Sequence, residues 1–322
     1  MRARSAVLFV LLVAGCQDAP REAPTTTAPL RPLVLASFYP LYDFARQIAG
    51  DRAEVVSLVP TGVEPHDWEP SPRDVARVEK AAVFIYNGAG FDAGAERLAK
   101  NADITRTVIV DATAGAPLLA VDLPSRDTHS HGHTHTKPSS ADATVAPRKD
   151  PHVWLDPTLA RLQVEAIRAG LVKADPANAE HYTSRAAAYA TRLATLHEAL
   201  AAGLESCQQR EIVVSHAAFT YLAHRYKLLQ VPVMGLSPGA EPSPAELARV
   251  VRQIRRLKAK VIFFETLVSP KLAETLAAEV GATTLVLNPL EGLTADEERA
   301  GKDYVRVMED NLKNLRVALE CR

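Results

Sequence analysis

Four of the ten histidines of this 322-residue chain fall within seven positions: His129, His131, His133 and His135, separated by Ser, Gly and Thr. Neutral imidazole is the commonest protein ligand for borderline transition metals. Alternating imidazoles beside Gly and hydroxyl side chains have no apolar face to bury. The tract therefore predicts a mobile surface loop that captures metal. A solvated polar loop is the bland alternative. An expression tag would sit at a terminus, and this tract is internal. Three other histidines stand out by position: His66 and His152 each follow a proline, and His216 directly follows a strand-like run. His181, His197 and His224 lie in helical patterns and read as surface or packing residues.

The elements that must position these groups are short and regularly alternated. Strand-like runs occur at Leu33–Phe38, Glu54–Val59, Ala82–Tyr86 and Thr107–Val110. A second group occupies Glu211–Ser215, Leu229–Met234, Lys260–Phe264 and Thr283–Leu287. Most are continuously apolar, as for strands buried on both faces. Helical patterns separate them, among them Leu41–Ala49, Arg73–Lys80, Ala245–Lys258 and Lys271–Glu279. Such alternation predicts parallel α/β sheets, and two groups of four strands predict two of them. From Pro157 to Glu205 the pattern is helical and strand-free, rich in good helix formers. Asp175-Pro176 should divide it. The second helix, Ala177–Leu204, would be a spine roughly 40 Å long at 1.5 Å per residue.

The expected fold class is thus α/β: two lobes, each a four-stranded, mostly parallel sheet flanked by helices, joined by a long rigid spine helix. The expected regions are an N-terminal lobe at 33–157, linking helices at 158–208 and a C-terminal lobe at 209–322. Polar residues 113–148, patternless, read as an insertion carrying the histidine tract.

Several predicted helix starts place an N-cap oxygen before a proline: Ser71-Pro72, Asp156-Pro157, Ser243-Pro244 and Ser269-Pro270. Ser243 also has Glu246 three residues on, a capping box. His66, His152 and Glu265 lie four or five residues before three of these caps. Glu265 directly follows one strand run, and Glu291 follows another by four residues. Open parallel sheets bind ligands beyond the carboxyl ends of their strands. Most of these groups are predicted there, and a cleft between lobes would gather them.

At the N-terminus, Arg2 and Arg4 precede an uncharged apolar run, Ala6–Ala14, ending in Val-Ala-Gly-Cys16. This reads as a secretory signal over 1–16, too short for a membrane-spanning helix of about 20 residues. The ending resembles a bacterial lipobox, which implies a lipid on Cys16 after cleavage. An ordinary signal with an incidental cysteine is the alternative. Residues 17–32, rich in Pro, Thr and Ala, read as an extended tether. The protein should therefore work outside the cytoplasm, anchored to a membrane by lipid. Losing Arg2 and Arg4 would turn 37 basic side chains into 35 against 38 acidic, a balance of −3. No basic stripe suggests nucleic acid. Cys207 and Cys321, outside any CxxC pair, most simply form a disulfide in an oxidising compartment; two free thiols are the alternative.

Long motifs then resemble one family: the metal-binding receptor lipoproteins of bacterial ABC importers for zinc and manganese. They are SFYPLYDFARQIAGD at 37–51, VPTGVEPHDWEPSP at 59–72, KDPHVWLDP at 149–157 and VVSHAAFTYLAHRY at 213–226. VIFFETLVSPKLAETLAAEVGA at 261–282 and GKDYVRVMEDNLKNLRVAL at 301–319 complete the pattern. The resemblance implies His66, His152 and His216 as ligands. Manganese-type members place a carboxylate at the third position, so His216 points to the zinc-type branch, as does the His-rich loop. Many members place an Asp ligand where this chain has Asn288, a poor zinc ligand. A branch with the NPLE form uses the Glu instead, which maps onto Glu291. Glu265 would orient a histidine or substitute for Glu291; with neither carboxylate, water would take the fourth place. Three imidazoles and a carboxylate suit tetrahedral Zn²⁺, whereas Mn²⁺ wants more oxygen.

The implied activity is capture of Zn²⁺ and delivery, by a monomer, to an ABC permease and its ATPase, with no reaction catalysed. The rival readings are a manganese receptor, a metal-dependent adhesin and a secreted zinc hydrolase. The last would keep water in the fourth position, and no HExxH occurs.

Overall fold

All eight predicted strand runs form four-residue strands, seven of them trimmed and the fourth, predicted at Thr107–Val110, shifted by one residue to Val108–Asp111. The computed structural model describes residues 31–121, 148–239 and 242–322. Cys16, the signal segment, nearly all of the tether and the tract His129, His131, His133 and His135 lie outside these residues.

In the first lobe the order is β1 (Leu33–Ala36), α1 (Tyr39–Ala49), β2 (Glu54–Ser57), α2 (Pro72–Val78), β3 (Val83–Tyr86), α3 (Ala93–Asn101) and β4 (Val108–Asp111). Next comes a two-residue antiparallel pair, β5 (Ala120–Val121) with β6 (Arg148–Lys149). The predicted patternless insertion is thus paired where it leaves and rejoins the lobe. Helices α4 (Pro157–Ala174) and α5 (Ala179–Glu205) follow, split by a short 3-10 turn at Pro176–Asn178. The second lobe runs β7 (Glu211–Val214), α6 (Thr220–Tyr226), β8 (Leu229–Pro232), α7 (Pro244–Leu257), β9 (Val261–Phe264), α8 (Lys271–Val280) and β10 (Thr283–Val286). Two more helices, α9 (Ala295–Arg299) and α10 (Tyr304–Ala318), end the chain.

Both main sheets are wholly parallel. Their orders are β2-β1-β3-β4 and, read from the matching edge, β8-β7-β9-β10, which is the same topology. The sequence carries a trace of it. Residues 59–78 and 231–250 align without a gap and share nine of twenty residues, including EPSP and ARV. In both copies the serine and the acid three residues on form a capping box, Ser71 with Asp74 and Ser243 with Glu246. Asp156 also caps as expected, accepting from Thr158 N–H. Ser269 sits one residue further out: its Oγ still accepts the Lys271 N–H at 3.4 Å, but α8 starts at Lys271, after Pro270, whose φ of −71° and ψ of −10° are already helical. Proline at the edge of a helix fits either position, so sequence alone misplaces such a start by a residue.

The central strands β1, β3, β7 and β9 are buried on both faces, as their apolar runs predict, while the edge strands are only partly covered. Val34, Ala36, Val83, Ile85, Ile212, Val214 and Phe263 point into one apolar cluster common to both lobes. The alternate residues Leu35 and Phe84 join a cluster private to the first lobe, and Val213 and Ile262 one private to the second. The common cluster is completed by α5, whose buried residues Tyr182, Ala186, Tyr189, Leu193, Leu196, Leu200 and Leu204 recur every three or four positions. That spacing makes a single stripe along the helix. A disulfide joins Cys207, just after α5, to Cys321, just after α10.

Candidate metal centre

Four of the predicted residues converge. His66, His152, His216 and Glu291 each offer one ligand atom, and these four atoms lie within 4.8 Å of one another. His66 sits in a 3-10 turn, Pro65–Asp67, between β2 and α2. His152 caps another, Val153–Leu155, just before α4. His216 follows β7 by two residues, and Glu291 lies beyond the end of β10. Parallel strands thus deliver their following loops to one end of each sheet. The helical histidines stay apart: His181 bonds the Ala49 carbonyl, His197 bonds Tyr226, and His224 is exposed.

The geometry is radial around one oxygen. Glu291 Oε1 lies 3.3 Å from Nε2 of His66, 3.2 Å from that of His152 and 3.2 Å from that of His216. Only the His216 contact is a well-formed hydrogen bond. Nε2 of His66 and of His152 and Oε2 of Glu291 are buried without a hydrogen-bond partner. Burying polar atoms unpaired costs about 1–3 kcal/mol each, so their convergence here calls for a cation. The side chains of His152, His216 and Glu291 are wholly shielded from solvent, and that of His66 is 9% exposed.

Two imidazoles are fixed from behind. Asp150 Oδ1 lies 2.8 Å from Nδ1 of His152 and accepts its backbone N–H at 2.9 Å. Glu265 Oε1 lies 2.7 Å from Nδ1 of His216 and accepts its backbone N–H at 3.2 Å. An anion at Nδ1 holds the proton there, so that Nε2 presents its lone pair. Glu265 thus meets His216 at Nδ1 and is not among the four residues whose ligand atoms converge. Asn288 turns away, bonding Leu290 N–H and Glu297. The loop carrying Glu291 is tied to the first lobe by Trp154, whose Nε1 donates to the Pro289 carbonyl at 2.7 Å.

Electrostatics follow from this packing. Burial disfavours the imidazolium of His152, but Asp150 and Glu291 outweigh it and raise the pKa. Burial opposes charge on His216 as well, and Glu265 and Glu291 push it well above the ordinary value. For Glu291 burial raises the carboxyl, yet His216 and the other imidazoles hold it well below the ordinary range. Sequence reasoning missed Asp150 and Glu64. Glu64 accepts the His66 N–H at 3.2 Å, and burial followed by the charge of Glu291 lifts its carboxyl to about 8. The signal for Asp150 was present, an acid two residues before the histidine in KDPHVW.

Such a site can bind a divalent cation through three nitrogens and one oxygen, the set tetrahedral zinc favours. The profile of a protein family, ZnuA, described as the periplasmic component A of the zinc-uptake complex, matches residues 34–318. The high-affinity zinc uptake system protein ZnuA of Bacillus subtilis is 38% identical over 309 residues, 96% of this chain and 94% of that protein. The zinc-binding lipoprotein AdcA of Streptococcus pneumoniae is 40% identical over 286 residues, and the match spans 55% of its length. The crystal structure of the Zn(II)-bound ZnuA-like domain of that AdcA superposes with a TM-score of 0.73 at 37% identity, covering 90% of this chain and 99% of the domain. Family profile, relatives and fold agree: this chain belongs to the ZnuA family of periplasmic zinc-uptake components.

Proposed function

We propose that this protein is an extracytoplasmic zinc receptor that takes Zn²⁺ between His66, His152, His216 and Glu291 and delivers it to an ABC permease and its ATPase for import. One observation carries the reading: three imidazole nitrogens surround a single buried carboxylate oxygen at 3.2–3.3 Å, two of them with no hydrogen-bond partner. Three nitrogens and one oxygen suit zinc better than manganese. Four protein donors leave no position for a reacting water, which argues against a hydrolytic centre. Capture and release involve no bond-making in a substrate.

Asp150 and Glu265 act as the orienting partners of His152 and His216. Residues 1–16 serve as a lipoprotein signal with the lipid on Cys16, and 17–32 as the tether of a monomer. The lobes are the functional units, 33–157 and 209–322 joined by 158–208, and the His-rich segment gathers zinc before the centre takes it. Metal analysis of purified protein tests the centre. One tight zinc per chain is expected with or without residues 129–135, and His216→Ala should lose it. Tight zinc retained by His216→Ala would sink the assignment, and unimpaired zinc uptake in cells lacking the protein would sink the import role.

A further inference from the structure

Leu290, the residue before Glu291, has φ of 62° and is completely buried. The left-handed region is uncomfortable for a leucine, and such a conformation persists only where its surroundings over-determine it. Here the surroundings are two asparagines. Asn311, on α10, grips the main chain of residue 288: its Oδ1 accepts the Asn288 N–H at 2.8 Å and its Nδ2 donates to the Asn288 carbonyl at 2.7 Å. The Asn288 side chain then accepts the Leu290 N–H at 2.7 Å, closing a side-chain turn, while its Nδ2 donates to Glu297 at 3.2 Å. Both asparagines are buried, and Trp154 holds the Pro289 carbonyl between them and the centre.

We infer that Asn288 and Asn311 form a positioning clasp that sets the carboxylate of Glu291 at the metal centre and keeps the side chain of residue 288 out of it. The inference rests on Glu291 being a zinc ligand. With its side chain sealed from water, Glu291 is aimed by the backbone that carries it, and the clasp fixes that backbone at the residue where it turns. The Asn288 side chain is held on both its polar atoms, Oδ1 by the Leu290 N–H and Nδ2 by Glu297 on α9, and these bonds keep it to the loop and the helix. The fourth place falls to Glu291 alone.

A double-mutant cycle separates positioning from general support of the fold. Zinc dissociation constants are measured by chelator competition for the wild type, Asn288→Ala, Glu291→Ala and the double variant. Asn288→Ala should weaken zinc by about ten- to a hundred-fold, the range for residues that orient ligands. In the Glu291→Ala background the same change should cost less than about two-fold, because the ligand it positions is gone. Equal losses in both backgrounds, or no loss in Asn288→Ala, would overturn the clasp. Wild-type affinity in Glu291→Ala would remove the ligand assignment itself and the clasp with it. Asn288→Ser guards against a variant that does not fold. Its hydroxyl can still accept the Leu290 N–H, and its affinity should lie nearer the wild type than that of the alanine variant. A folded serine variant as weak as Glu291→Ala would also overturn the clasp.

Discussion

The two lobes share a strand order and a duplicated segment, yet they equip the metal centre differently. In the first lobe both histidines sit on 3-10 turns away from the strands, and the position directly after β3 is Asn87. In the second lobe His216 and Glu265 stand at strand ends, and Glu265 occupies the position after β9, the strand matching β3. Both of these residues are braces. Asn87 Nδ2 donates to the Pro151 carbonyl at 2.9 Å, just before His152, while Glu265 reaches the His216 ring itself. The loop that supplies His66 has its counterpart in the second lobe with Pro238 at the matching position. Topology therefore fixes where a donor can be placed, and the residues of each loop decide whether one is.

The sharpest way to break this comparison is to remove one donor from each lobe. His66→Ala and His216→Ala should each weaken zinc by more than about a hundred-fold, beyond the losses typical of orienting residues. Isothermal titration against a competing chelator measures both; a first-lobe variant that keeps its affinity would leave the second lobe holding the metal alone. The covalent closure is also unequal. Cys207 and Cys321, 114 residues apart, bracket the second lobe, and no cysteine lies between residues 17 and 206. Replacing both by serine should lower stability by about 2–4 kcal/mol. Zinc affinity should stay constant, because neither cysteine approaches the centre. Urea denaturation followed by zinc titration would expose a coupling if affinity fell too.

Smaller effects are expected from the braces. Asp150→Ala and Glu265→Ala should each cost about ten- to a hundred-fold in zinc affinity. Asp150 and Glu265 meet the imidazoles directly and hold the proton at Nδ1, whereas Asn87 acts on backbone, so Asn87→Ala should cost less than either. A larger loss in Asn87→Ala would mean that the first lobe positions its histidine through the main chain.

The mildest test is titration of the metal-free protein by NMR. His152 and His216 are both raised, because the carboxylates that face them outweigh their burial. A raised pKa means that the imidazolium persists to higher pH, and the imidazolium cannot bind metal. Zinc affinity should therefore fall with acidification from above the ordinary imidazole range, and recover as pH rises through the raised values. In the metal-free protein the same shifts stabilise the fold at low pH, below the unfolded imidazole value, and that contribution is lost as pH rises through the folded values. Ordinary titration of both rings would contradict the buried anions behind them.

Much of this was readable from the chain. Apolar runs and their helical spacers specified both sheets, and proline-flanked or strand-end histidines separated the three central ones from those on helices. Glu291 was reachable only through the motif that surrounds it, because nothing local distinguishes it from other acids. What was hidden depends on direction. Asp150 lies two residues from His152, but its use requires knowing which ring nitrogen faces inward. Asn311 lies 23 residues from Asn288, and no periodicity links an amide on a helix to a main-chain pair in a loop. The apolar cluster common to both lobes likewise appears only when alternate strand residues are assigned to faces.

Trp154 shows how narrow the choice of residue can become. It is wholly buried, it meets Phe38 and Phe91 edge-on, and its one polar group is used on the Pro289 carbonyl. Phenylalanine would fill the cage but leave that carbonyl bare, at about 1–3 kcal/mol. Tyrosine would move its donor to the ring tip and add an acceptor that the apolar cage cannot satisfy. Histidine is too small, and as imidazolium it would bring charge next to the metal. A position chosen jointly for bulk, for one donor and for no acceptor admits a single word from the twenty-letter vocabulary, and that word lies two residues from His152.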